Sequence, residues 1–166
     1  MSMELLLVQK NTLRGMGMLE VVVAVSIVTV VLVFFSNTFV QFINTGKQVS
    51  EKTQALYLAE EGLELMRFVR DNNWADISTL TSGTSYALVL SPTSIGITTS
   101  PEVSGIFRRT FVVSNVYRNA SSDDIVASTT VGAVADTQAK YVTMNVGWGS
   151  PTSTISLTTV LTHLDL

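Results

Sequence analysis

Glu20 is the residue whose position calls most strongly for a chemical role, because it stands directly before a long apolar run. No charged residue occurs from Val21 to Ile43. An ionised carboxylate inside a bilayer costs roughly 2.5–3.5 kcal/mol even on the lenient insertion scale, so such groups usually pair with a cation. The placement of Glu20 therefore favours an ion pair at the membrane boundary.

The rest of the chain offers little for catalysis. It has no cysteine and one histidine, His163, which we expect to be solvated near the C-terminus. Glu60 and Glu61 are adjacent acids, but on a helix such a pair is more often a solvated face than an acid/base pair. No glycine-rich phosphate loop, metal-binding histidine pair or nucleophile elbow occurs. We therefore expect no enzyme activity, no catalytic residue and no cofactor.

Three acidic residues are weak candidates for calcium ligands: Asp123, Asp124 and Asp136. Their spacing matches no EF-hand loop, so a solvated acidic turn is the favoured interpretation. Arginines at 108, 109 and 118 form the one basic cluster outside the N-terminal region. Because the net charge is −3 and nucleic-acid binding needs a broad basic face, we expect surface positions on strands and no nucleic-acid partner.

The apolar run predicts a membrane anchor. About 20 such residues span a bilayer as a helix, and helix is favoured there because the backbone must bond internally. Lys10 and Arg14 precede the run, so the N-terminus should stay cytoplasmic. A cleaved secretory signal peptide is the alternative. No small-x-small site follows Phe35, which favours an anchor that is retained.

The spacing of Gly15 and Glu20 carries a family resemblance. The stretch RGMGMLE and the apolar helix behind it resemble the prepilin signature of type IV pilins and type II secretion pseudopilins. In that family a membrane peptidase cuts after the glycine and methylates the new N-terminal amine. The resemblance implies cleavage between Gly15 and Met16, an N-methylated Met16, and Glu20 as the family's fifth-residue glutamate.

The chain departs from the commonest pattern at four positions. Met16 stands where phenylalanine is usual, and Gly17 and Met18 replace the usual Thr-Leu. Asn37 stands where many major pilins have a helix-kinking proline, which favours a minor pilin or pseudopilin over a major pilin.

The physical argument agrees with this resemblance. Cleavage after Gly15 removes Lys10 and Arg14 and leaves a positive amine next to lipid. At 1.5 Å per residue that amine lies about 6 Å along the axis from Glu20 of the same helix. The amine of an axially offset neighbour could meet Glu20 directly and set the register between subunits. A glutamate at the interfacial edge of a plain signal anchor is the alternative.

The helix is predicted to continue past the membrane to about Arg70, ending at residues 71–74, where asparagine tolerates left-handed cap geometry. Gly46 is a candidate bend, and Gly62 could let a sheet approach closely. Ion pairs are expected between Lys47 and Glu51 and between Glu64 and Arg67. One apolar stripe is expected at spacings of seven, three and four, formed by Val49, Leu56, Ala59, Leu63, Met66 and Val69.

After Trp74 the chain reads as short strands separated by Ser, Thr and Gly. Strands are predicted at 85–90, within 106–117, at 141–148 and at 154–161, the last two as a hairpin with a five-residue loop. Residues 119–138 read as a loop. The fold class is α+β: a long N-terminal helix, half transmembrane and half amphipathic, packed on a C-terminal antiparallel sheet, as in pilins.

These features divide the chain into a leader (1–15), a transmembrane half-helix (16–43), an amphipathic half-helix (44–74) and a β-rich head (75–166). We expect a structural subunit of a type IV pilus or a type II secretion-like filament. It would sit in the inner membrane before assembly and in an extracytoplasmic filament afterwards. The resemblance implies four kinds of partner: other pilin subunits, a prepilin peptidase, an inner-membrane assembly platform and an ATPase. A signal-anchored extracytoplasmic binding domain that never polymerises is the alternative. The sequence leaves secretion, surface and DNA-uptake filaments open.

Overall fold

The computed structural model describes residues 17–92, 94–149 and 152–163, which form two helices and seven strands. The elements are α1 (Met18–Asn72), α2 (Ala75–Ser78), β1 (Ser85–Ser91), β2 (Ser94–Thr98), β3 (Glu102–Ser104), β4 (Phe107–Asn119), β5 (Ile125–Val126), β6 (Ala133–Trp148) and β7 (Ser153–Thr162). The chain divides into two compact units, one up to Lys47 and one from Gln48 onward. The α+β class predicted from the sequence is confirmed: one long N-terminal helix with a C-terminal antiparallel sheet.

The described part of the first unit is helical from Met18 onward and has an apolar, exposed surface. This helix is long and apolar enough to cross a membrane. Its hydroxyl groups do not remain free: those of Ser26, Thr29, Ser36, Thr38 and Thr45 each donate to the carbonyl oxygen four residues earlier. Such bonds satisfy polar side chains where lipid offers no partner. The helix continues through Gly46 without interruption.

The end of α1 lies within the predicted stretch, but the predicted reason is wrong. The helix ends at Asn72, and neither Asn72 nor Asn73 has a positive φ. Instead, the Asn73 side-chain oxygen accepts a hydrogen bond from the Ala75 backbone N–H at 3.1 Å, at the start of α2. This bond to the backbone two residues later is an Asx turn, which leads from α1 into α2 without a left-handed residue.

The second unit contains a sheet in the order β2-β1-β4-β6-β7 with antiparallel neighbours. The strands β3 and β5 also pair with β4. The β6–β7 hairpin is confirmed, with Trp148 opposite Ser153, although four residues separate the strands and not the predicted five. The loop predicted over residues 119–138 is wrong in part, because β6 begins at Ala133. A register shift between Asn115 and Val116 interrupts the pairing with β6 and hides the strand pattern in the sequence.

The core lies between the second half of α1 and one face of the sheet. Alternate β6 residues Val142, Met144, Val146 and Trp148 are buried, as the sequence predicts. The helix stripe is shifted from its prediction: Val49 is 59% exposed, and Ala55 is fully buried. The core residues of α1 are Ala55, Ala59, Leu63, Met66 and Val69.

Gly62 lies at a close approach between α1 and the sheet, as predicted. A Cβ at this position would lie 2.7 Å from Cε of Met144, a residue that is almost fully buried. We expect Gly62→Val to lower the free energy of unfolding by about 2 kcal/mol through overpacking. Urea denaturation of the full chain in detergent measures this loss. Restoring space with Met144→Ala in the Gly62→Val background should recover part of it. Equal stability of Gly62→Val and wild type would contradict the close approach.

Candidate functional site

Glu20 lies in the first turn of α1, at the head of the apolar segment. Its backbone N–H donates to the Gly17 carbonyl oxygen at 2.8 Å, so the residue belongs to the helix. A carboxylate in a first turn is favoured by the free backbone N–H groups there and by the helix dipole. The proposed cleavage site between Gly15 and Met16 lies outside the described residues.

Glu20 has no cationic partner among the described residues. The next basic residue along α1 is Lys47, which lies about 40 Å away at 1.5 Å per residue. All apolar neighbours of Glu20 on the helix, such as Val21, Val23 and Val25, are exposed. The described part of the first unit, from residue 17, therefore presents one carboxylate at the end of an uncovered apolar helix.

The three arginines that form a cluster in the sequence are separated by the fold. Arg109 is only 5% exposed and faces α1, so its predicted surface position is wrong. Its Nε and Nη2 donate to the two carboxylate oxygens of Glu102 at 2.8 and 2.9 Å. Its Nη1 donates to the Leu58 carbonyl oxygen at 3.0 Å and lies 3.4 Å from Glu61. Arg109 therefore joins β3, β4 and α1.

Arg118 lies between Asp123 and Asp136, two of the three weak calcium candidates. Its Nε donates to Asp136 at 2.7 Å and lies 3.9 Å from the Asp123 carboxylate. Its Nη1 donates to the Asp123 carbonyl oxygen at 2.9 Å. Asp123 has a positive φ of 59°, a conformation that aspartate tolerates better than most residues. The fold thus brings Asp123 and Asp136 together around a guanidinium, and it gives Asp124 no part in this group.

The Arg118–Asp136 pair predicts a pH dependence of stability. The hydrogen bond from Arg118 holds the pKa of Asp136 below its usual value, and desolvation opposes this only in part. Because the folded-state pKa is below the unfolded one, the contribution is present above about pH 4 and lost as pH falls through the folded value. We expect Asp136→Asn to reduce the loss of stability on acidification. Thermal melts of both proteins from pH 7 to pH 3 measure it, and parallel curves would contradict it.

The remaining candidates for chemistry do not form a reactive group. Glu60 is exposed, whereas Glu61 lies near Arg109. His163 is half-buried rather than solvated. Its ring lies beside that of Trp74, tilted by 31° with centroids 5.8 Å apart, and its backbone N–H donates to the Gln138 carbonyl oxygen. Among the residues that the structure describes, no group of three acidic or histidine side chains is arranged to hold a metal ion.

Comparison of the chain with protein-family models, with characterised proteins and with solved structures gives no match. The functional argument therefore depends on the residues themselves.

Proposed function

We propose that this chain is a pilin-like structural subunit, a minor pilin or pseudopilin of a type IV pilus or a type II secretion-like filament. The observation that carries the proposal is Glu20: a carboxylate in the first turn of an apolar, exposed helix, with no cation beside it among the described residues. Such a charge requires a partner from a position before the helix or from another subunit.

The new N-terminal amine of a neighbouring subunit is the partner that fits best. Cleavage between Gly15 and Met16 would place that amine near the same depth as Glu20. Pairing between subunits then fixes the axial offset of one helix against the next. Because the contact joins two different surfaces, it repeats in one direction and produces an open filament rather than a closed ring.

The two compact units suit the two parts of this function. The apolar part of α1 has no cover of its own and is satisfied by lipid before assembly and by other helices afterwards. The second unit carries its own core and forms the extracytoplasmic head. A prepilin peptidase, an inner-membrane platform and an ATPase are the partners that such a subunit requires.

The intact mass of the protein from its native host tests the proposal. We expect the loss of Met1 to Gly15 and the gain of one methyl group on Met16. A full-length mass would favour the alternative, a signal-anchored binding domain that never polymerises. A cut after the apolar run would remove Glu20 and exclude both.

A further inference from the structure

A polar notch lies on the face of the sheet opposite α1. The proposed function makes no use of this notch. Strand register places Arg108, Gly147 and Thr154 side by side on β4, β6 and β7. The next outward-facing row contains Thr110 and Asn145. These five residues form part of the lining of a cavity of about 570 Å³. Its size lies within the range of small-molecule sites, about 300–1,000 Å³.

The floor of the notch is a glycine inside a regular strand. Gly147 pairs with both neighbouring strands without a register shift, and its φ is not positive. The backbone conformation therefore does not require glycine, although glycine weakens a strand interior. A Cβ at Gly147 would point to Thr152, 3.3 Å from its Cγ2. Because Gly147 has no side chain, the notch stays open between Arg108 and Thr154.

Among the described arginines, Arg108 differs from the others because it forms no ion pair. Arg67, Arg70, Arg109 and Arg118 each form an ion pair with an acidic side chain. Arg108 forms none with any residue that the structure describes, and it is exposed beside the notch. Arg108 therefore places a positive charge beside the notch that no acidic side chain among the described residues pairs with.

The other polar groups of the notch are suited to a ligand that bears both charge and hydroxyls. The Asn145 side-chain oxygen accepts from the Ser156 hydroxyl at 2.6 Å, which leaves its NH₂ group to donate elsewhere. The side chains of Thr110 and Thr154 also line the notch, together with Ile106, Trp148, Gly149 and Thr152, and the lining contains no aspartate or glutamate. Donors therefore outnumber acceptors, and an acidic oxygen is the complementary group.

We infer that this notch binds a carboxylated sugar, such as a uronic acid unit of an acidic polysaccharide. One guanidinium balances the single charge of a carboxylate and can bind it through two parallel hydrogen bonds. A phosphate carries more charge than Arg108 neutralises, and a nucleic acid needs several cations along its backbone. The cavity exceeds the size of a lone carboxylate, and its amide and hydroxyl groups suit sugar hydroxyls. The inference holds for a filament subunit and for a plain membrane-anchored domain alike.

The test titrates glucuronate into the full-length protein in detergent micelles, followed by saturation-transfer NMR. We expect a dissociation constant on the order of 1 mM for this single small site. Glucose, which shares the ring hydroxyls but lacks the carboxylate, should bind at least about tenfold more weakly. Inorganic phosphate should bind more weakly than glucuronate.

Three variants make the test specific. Arg108→Ala should weaken glucuronate binding about tenfold, because a charge-assisted bidentate contact is lost. Asn145→Asp is nearly isosteric and places a negative charge in the notch, so it should weaken binding at least as much as Arg108→Ala does, while the melting temperature stays close to wild type. Arg67→Ala removes the same charge at a distant exposed pair and should leave binding unchanged. Unchanged binding by Arg108→Ala, equal binding of glucose, or tighter binding of phosphate would each overturn the inference.

Discussion

Replacement of Glu20 by alanine is expected to abolish filament assembly while the cleaved subunit still accumulates in the membrane. Glu20 is the carboxylate at the head of an apolar helix that has no cation beside it among the described residues. Without it, the amine of the neighbouring subunit would enter the helix bundle unpaired, and the axial register would lose its polar constraint. We expect at least about a tenfold loss of sheared filaments, measured by immunoblotting of filament and membrane fractions.

Two further variants separate charge from shape. Glu20→Gln keeps the size of the side chain but removes its charge, and it should fail to assemble as Glu20→Ala does. Glu60→Ala removes an exposed acid from the same helix outside the apolar segment and should assemble normally. Normal filament yield from Glu20→Ala would favour the non-polymerising anchored domain.

Replacement of Arg109 by alanine is expected to lower the free energy of unfolding of the second unit by about 3 kcal/mol. Arg109 is 5% exposed and holds together three elements through Glu102, Glu61 and the Leu58 carbonyl oxygen. Truncation leaves the partly buried Glu102 without its bidentate donor and also removes the apolar stem of the arginine from the interface. After truncation, water can partly solvate the carboxylates of Glu102 and Glu61. The expected loss in the free energy of unfolding therefore lies at the lower end of the range for buried ion pairs.

Chemical denaturation in detergent micelles, followed through the tryptophan signals, measures this effect. Arg67→Ala is the matched control, because Arg67 forms an exposed pair with Glu64 within one helix. Such pairs contribute about 0–1 kcal/mol. Equal losses for Arg109→Ala and Arg67→Ala would mean that the buried contacts contribute no more than a surface pair.

Several structural features were predictable because they depend on local patterns. The apolar segment after Glu20 is one such feature, since its length and lack of charge predict a membrane helix without any knowledge of the fold. The alternation of Val142, Met144, Val146 and Trp148 is another, because a strand period of two places all four on one face. Gly62 was predictable as a site of close approach because it lies beside an apolar stripe.

Other features were not predictable because they depend on pairing between distant segments. The short strands β2, β3 and β5 were missed because each is defined by its pairing with β1 or β4. The start of β6 was placed too late because the register shift near Asn115 is decided by cross-strand partners. The helix stripe was misplaced at Val49 and Ala55 because only the position of the sheet determines where burial begins.

The sequence by itself determined the α+β class, a helix long and apolar enough to cross a membrane and the exceptional position of Glu20, because charge, length and periodicity act along the chain. Only the tertiary structure decided the environments of three arginines that the sequence does not distinguish: Arg108, Arg109 and Arg118. Adjacent strand residues face opposite sides of a sheet, so Arg109 is buried against α1 while Arg108 points away beside Gly147. The environment of Arg118 is determined by the pairing of β4 with β6, because this pairing brings Asp136 within hydrogen-bond distance.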